Sequence, residues 1–275
     1  RRVLFRSFTN TRTCFGAAQD LLAKMKEIAA MDLGGDVADY DVDGVRVHQI
    51  ADNTVGMTYA EVAQRGMELG GKFSGESDLP EELNTLTALS VSRLAGSALM
   101  GIYHDPRHSN NPPGFTVTFM EIELDKETGK FDILDLVTIA ECGTVVHPQG
   151  LANQLRGGAV WGIGLSALER HLYDPQNGLP ASSGFWQSKI PTYLDTPAEI
   201  GTGWVDLPDP ENPVGARGIG EPSMGAVSAA LNAAISDALG GHMFDAAPVT
   251  TDMIVNHIAG ISEDATPLAQ NNFRG

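Results

Sequence analysis

A glutamate that follows a run of glycines and opens a helix can serve as a base toward a group held close against the backbone. The segment Gly215-Ala216-Arg217-Gly218-Ile219-Gly220-Glu221-Pro222 has that arrangement. Glycines let a backbone approach a ligand, and a helix start offers unpaired N–H groups and a field that favours a carboxylate. The spacing matches neither G-x-G-x-x-G nor the phosphate loop with its G-K-[ST], so a nucleotide cradle is not expected. A plainer use exists for the same residues: a Gly-rich turn whose Glu221 only stabilises the helix start. The residue types alone leave both readings open.

A second segment, Ala140-Glu141-Cys142-Gly143-Thr144-Val145-Val146-His147-Pro148, precedes Asn153-Gln154. Its Gly and Pro mark the end of a strand and the start of a helix. Gln154 offers two donors and an acceptor, which suits the edge of a heterocycle. The alternative is an amide that caps backbone groups at the helix start. Cys142 has no neighbouring base in sequence and reads as a small buried residue rather than a nucleophile. His104 and His108 have i, i+4 spacing, but Pro106 between them argues against the continuous helix that would turn both rings one way. A solvated loop is the better reading there, and no metal ligand is assigned.

Composition narrows the classes of function. The chain has 275 residues, with 18 Lys and Arg against 35 Asp and Glu, for a net charge of −17. So acidic a balance argues against a sequence-independent grip on nucleic acid or on an anionic membrane surface. No run approaches the roughly 18 apolar residues of a membrane span. Two cysteines, Cys14 and Cys142, cannot hold a four-thiolate zinc site or an iron–sulfur cluster.

The elements that must position these residues follow from pattern. Residues 1–7 read like a translated sequencing adapter rather than a signal peptide, and they suggest that the native N-terminus lies upstream. Gly16–Ala30 has helical spacing, with the polar Thr9–Thr13 stretch before it as the helix start. Asp41–Ile50 is expected to be a hairpin turning at Asp43-Gly44, and Thr58–Leu69 a helix. Residues 70–114 are expected to be loops with short helices. Phe115–Gly143 reads as a hairpin around Asp125–Gly129. Gln149–Tyr173 is a long helix candidate whose Gly157, Gly158, Gly162 and Gly164 cost roughly 1 kcal/mol each relative to Ala, which implies close packing against a neighbour or a ligand. Residues 179–215 are extended and punctuated by prolines. Ser223–Leu239 is the clearest helix, with Ser223 as its N-cap, and a short helix at Thr251–Ile258 precedes a polar tail. The fold class is α+β, with mixed sheets and packed helices in halves 8–110 and 111–260, followed by a tail at 261–275.

These segments together, in the order E-I-E-L-D-K-E-T-G (121–129), E-C-G-T-V-V-H-P (141–148), N-Q-L-R-G-G-A-V-W-G-I-G (153–164), P-T-Y-L-D-T-P (191–197) and G-A-R-G-I-G-E-P (215–222), are recognisable. They resemble the C-terminal part of the molybdopterin-binding large subunit of the xanthine dehydrogenase, aldehyde oxidase and carbon monoxide dehydrogenase family. The resemblance covers about residues 8–260 and is strongest after 115. It implies the molybdenum-cofactor-binding type of fold and a fragment of a longer subunit.

The same resemblance implies roles. Glu221 matches the general base of a hydroxylation that takes its oxygen from water, acting on an aldehyde or an N-heteroaromatic substrate. Gln154 matches a glutamine that contacts the pterin, and Gly218 and Gly220 supply backbone contacts near the metal. Asn10, Thr11 and Thr13 fall, more loosely, on a polar loop that wraps the cofactor. The cofactor would be molybdopterin, alone or as the cytosine dinucleotide, with no iron–sulfur cluster in this chain. Partners would be the missing N-terminal part of the subunit, an iron–sulfur subunit, and an FAD subunit or a cytochrome. The expected location is the cytoplasm, with the periplasm left open by the missing N-terminus, and the isolated fragment is expected to be inactive. Three departures from the family pattern stand out: Glu141 where Asp is commoner, His147 where Asn is usual, and Arg217 in place of Lys. A reading from another class is a non-catalytic scaffold or assembly domain with this fold, its Glu221 only capping a helix.

Overall fold

The computed structural model describes residues 6–79, 83, 85–103, 114–174, 176–186 and 188–261. The His104/His108 pair and the expected polar tail lie outside them. The chain divides into two compact units, one of residues 6–111 and the other from 112 onward. Each mixes helices with its own three-stranded sheet, so the fold class is α+β.

The first unit is built on a long helix, α1 (Arg6–Leu33), followed by three short antiparallel strands, β1 (Tyr40–Val42), β2 (Arg46–Gln49) and β3 (Gly56–Thr58). α2 (Tyr59–Leu69) starts on a reciprocal cap: the Glu61 amide donates to the Thr58 hydroxyl, and the Thr58 amide donates to the Glu61 carboxylate at 2.8 Å. α3 (Thr85–Leu94) is the short helix expected within the loop region. Met25, Ile28, Ala29, Tyr40, Val47, Val62 and Phe73 form the core of this unit. Tyr40 is buried with its hydroxyl donating to the Gly34 carbonyl at 2.6 Å, which settles the one polar atom it carries inside.

α1 corrects an expectation. The stretch Thr9–Thr13 is not a loop before a helix but lies within the helix, which begins at Arg6, ten residues upstream of the expected start at Gly16. The polar side chains do not break it, because Thr13 Oγ1 donates back to the Thr9 carbonyl at 2.9 Å and so stays compatible with helical backbone.

The second unit carries the long hairpin of β4 (Phe115–Leu124) and β5 (Phe131–Glu141), then α4 (Pro148–Ile163), β6 (Gly201–Val205), α5 (Pro222–Ala238) and α6 (Thr251–Ala259). β4 and β5 are antiparallel, with a register irregularity at Glu121/Ile122, and β6 adds in parallel beside β5. Alternation along β5 turns Leu136, Thr138 and Ala140 inward. Leu136 meets Ala159 and Ile163 of α4 and Val227 of α5. A neighbouring cluster joins Leu231 and Ile235 of α5 to Val249 and to Ile254 of α6.

Three expectations differ in this unit. The helix expected over Gln149–Tyr173 ends at Ile163 and widens into a π turn over Gly164–Leu168, closed by the Glu169 amide on the Gly164 carbonyl at 2.8 Å. That turn brings the Ser166 hydroxyl within 2.5 Å of the Ser228 hydroxyl on α5. α5 does not take Ser223 as N-cap: Pro222 fills its first position, as Pro does with no N–H to lose, and Glu221 occupies the cap. The stretch 179–215 hides a strand, β6, whose glycine-rich sequence shows no strand pattern until β5 pairs with it.

Candidate functional site

The two segments singled out by their chemistry lie side by side. The Arg217 amide donates to the Cys142 carbonyl, and the Thr144 amide to the Gly215 carbonyl, each at 2.7 Å. Gly143 pairs with Ala216 as an antiparallel bridge. Both turning glycines are required. Gly143 has φ +72, and a Cβ there would lie 2.1 Å from the Gly215 carbonyl oxygen. Gly215 also has φ +72, and a Cβ there would lie 2.4 Å from Thr144 Oγ1.

Arg217 locks the pairing. Its guanidinium donates to the Asp209 and Glu141 carboxylates, both at 2.5 Å. Asp209 is almost wholly buried. Its hydrogen bond, with further help from Glu141, holds the Arg217 pKa above the ordinary value despite partial burial. Glu141 uses its other oxygen to accept from the Gly143 amide at 2.9 Å. Arg217 and Glu141 thus act together as the clasp of this corner. Asp209 and Asn212 were missed by the sequence reading. Their side chains accept from the Glu211 and Val214 amides in a run of Asx turns, and the D-P-x-N-P-x-G spacing of residues 209–215 was the signal that could have found them.

Beyond Arg217 the loop runs to the start of α5, where the Glu221 carbonyl accepts from the Met224 amide at 3.0 Å. The amides of residues 218–221, which include Gly218 and Gly220, donate to no acceptor among the described residues. Ile219 alone is anchored, packing with Leu151 and Leu155 of α4 and with Ala140 and Cys142. Glu221 is partly buried, and its carboxylate makes no cap bond to the helix behind it.

α4 supplies the other side. Its N-cap is His147, whose Nδ1 accepts from the Gly150 amide at 2.7 Å. His147 therefore does the capping itself, and Gln154 is not needed for it. Gln154 stands between Leu151 and Leu155 on the same helix, half-buried, with no hydrogen bond from its amide among the described residues. One turn further, a Cβ on Gly158 would lie 1.8 Å from Ser223 Oγ, so α4 and α5 touch just behind Glu221. Gln154, Gly218, Gly220 and Glu221 therefore lie around one packed corner of the second unit.

Asn10, Thr11 and Thr13 stand in the first unit, on α1. The polar loop they were matched to is helix. Cys142 is buried, and that burial, with the Glu141 and Asp206 carboxylates, pushes its thiol above the ordinary value despite Arg217. It is a poor nucleophile. Among the described residues no group of three or more His, Cys, Asp or Glu is placed to hold a metal, and no helix is long and apolar enough to cross a membrane.

Comparison with known proteins gives the family. The chain is 34% identical over 166 residues to the 6-hydroxypseudooxynicotine dehydrogenase complex subunit gamma of Paenarthrobacter nicotinovorans, covering 59% of this chain and 21% of that one. It is 31% identical over 140 residues to the carbon monoxide dehydrogenase large chain of Afipia carboxidovorans, covering 50% and 16%. Among solved structures, quinoline 2-oxidoreductase from Pseudomonas putida 86 superposes with a TM-score of 0.62 at 25% identity, over 89% of this chain and 29% of that one. The chain thus spans about a fifth of the length of these curated relatives. The family described as the molybdopterin cofactor-binding domain matches residues 6–197, a span that includes Gln154 and stops short of Glu221. With that match over most of its length, the chain belongs to the molybdopterin cofactor-binding domain family.

Proposed function

We propose that this chain forms part of the large subunit of a molybdenum hydroxylase, with Glu221 as its general base and Gln154 as a ligand of the pterin. The residues fit such a cofactor. The successive amides of 218–221 have no acceptor of their own, and a pterin with its phosphate presents many. The Gln154 amide can serve the edge of a heterocycle with both donors and its acceptor. When bound, the molybdenum cofactor supplies a redox centre that accepts two electrons from the substrate.

The observation that carries the reading is the state of Glu221. A carboxylate retained to cap a helix would accept from an amide of the first turn, and Glu221 does not. It stands on a loop anchored by Arg217 and Ile219, and its carboxylate makes no hydrogen bond among the described residues. Such a carboxylate can take a proton from the water that supplies oxygen to an aldehyde or N-heteroaromatic carbon. Gly218 and Gly220 keep the wall beside it free of side chains. Electrons would leave through an iron–sulfur subunit, and onward through an FAD subunit or a cytochrome. The cofactor form, plain or as the cytosine dinucleotide, belongs to the same proposal, as does a cytoplasmic location.

Glu221→Gln in the complete enzyme tests this. It keeps volume and hydrogen bonding but cannot accept the proton, so turnover should fall by about 10²–10⁴ with molybdenum content unchanged. Turnover within about threefold of the parent would end the assignment, because loss of a general base demands far more. A scaffold role would show the same indifference.

A further inference from the structure

Among the described residues of the second unit, the helices pack on one face of its sheet. β5 turns Leu136, Thr138 and Ala140 toward the helices and Val137 and Ile139 the other way. The register places Val117 beside Ile139 and Phe119 beside Val137, with Phe115 and Val205 flanking Glu141 at one end. Phe115, Phe119 and Val205 are 67%, 64% and 52% exposed. An antiparallel or mixed sheet with one solvated face normally carries polar side chains there. This face is apolar over contiguous positions on all three strands, the mark of a surface made to be covered. Beyond Phe119, Glu121 stands directly opposite Asp135. Like charges across a strand pair are destabilising until a cation enters between them.

We propose that this face seats a second layer contributed by the remainder of the large subunit, with a basic side chain of that layer placed between Glu121 and Asp135. The inference rests on the reading of the chain as part of such a subunit. Two observations select this occupant. The relatives are several times longer than the chain, which covers 21% and 16% of them, so a large mass of polypeptide accompanies this fold there. A second copy is disfavoured by charge: at −17 each, two copies repel and bring only the same carboxylates to this rim.

The test uses a thiol as reporter. In a Cys14→Ser background the remaining native cysteine, Cys142, is buried, so Phe119→Cys adds an accessible thiol on the open face. Maleimide labelling is followed in the 275-residue chain and in the complete subunit, with Phe115→Cys as an independent second position. The expected result is rapid labelling in the chain and labelling at least about tenfold slower in the complete subunit, where reaction must await local opening. Equal rates in the two would overturn the proposal. So would concentration-dependent protection of the chain alone accompanied by a dimer in sedimentation, which would assign the face to a second copy. Protection in the dilute monomer would overturn it too, by placing the cover within the chain. Molybdenum assayed on the same samples separates the two readings. Protection without metal would sustain the interface and sink the functional reading, whereas metal with free labelling would do the reverse.

Discussion

Arg217 and Gln154 illustrate how residues of similar visibility in the sequence serve different ends. Arg217 bonds two carboxylates, one of them almost fully buried, so its loss strands an uncompensated charge. Arg217→Met should cost about 3–5 kcal/mol of stability in urea unfolding of the chain, the usual penalty for removing one partner of a buried pair. Arg217→Lys should recover part of this, since an ammonium keeps the charge but not the two-pronged geometry. Gln154 should behave oppositely. Its amide bonds nothing among the described residues, so Gln154→Ala should leave the urea midpoint of the chain unmoved while lowering pterin and molybdenum content of the complete enzyme. Full cofactor content in that variant would remove Gln154 from the site. Of this corner, Glu221 and Gln154 were singled out from residue type, but the clasp was not, because Glu141 and Arg217 are 76 positions apart.

At the scale of elements, the glycines of α4 divide by what they face. Gly158 and Gly162 meet Ser223, Met224 and Val227 of α5, whereas Gly157 has open space beside it. Gly158→Ala should therefore cost about 1–3 kcal/mol by overpacking. Adding Ser223→Ala should relieve part of that, because Ser223 Oγ is the nearest obstruction and has no hydrogen bond to lose. Gly157→Ala should stabilise the chain by up to about 1 kcal/mol through helix propensity. Denaturant midpoints of the single and double variants would check all three, and a Gly158→Ala as stable as the parent would contradict the tight α4–α5 contact. The helix period announced α4 and α5; which glycine meets α5 depends on how the two are packed, which the period does not carry.

Turns and caps across the molecule share one electrostatic habit. The carboxylates of Asp43, Asp52, Glu61 and Asp125 all sit below their ordinary pKa, held first by the Arg46 amide, the Thr54 hydroxyl, the Thr58 amide and the Thr128 hydroxyl respectively. Below-normal values mean that the folded chain binds fewer protons than the unfolded one, so stability rises with pH across the interval between the two. The contribution is complete above the unfolded value near about 4 and is lost as pH falls through the folded values. The thermal midpoint should thus hold from neutrality to about pH 5 and drop steeply below about pH 4. A midpoint that rose on acidification would show instead that relief of the −17 net charge outweighs the loss of these bonds. The uncovered sheet face gives a further expectation: the chain alone should carry no molybdenum and should aggregate at concentrations where the complete subunit stays dispersed.

The sequence by itself determined what is decided within a few residues. Thr58 and Glu61 cap α2 across one turn, Asp125–Gly129 closes the β4–β5 hairpin, and α5 carries its own helical period. The glycine-rich approach to Glu221 belongs to the same class, since backbone freedom is a property of the residue type. The tertiary structure decided whatever depends on a distant partner. β6 becomes a strand only because β5 offers it a ladder. The Ser223 hydroxyl ends against Gly158 of α4, a neighbour 65 positions away that no local pattern names. Local rules set propensities worth a fraction of a kcal/mol per residue, whereas a packed contact or a buried ion pair is worth several, so the long-range term prevails wherever the two disagree.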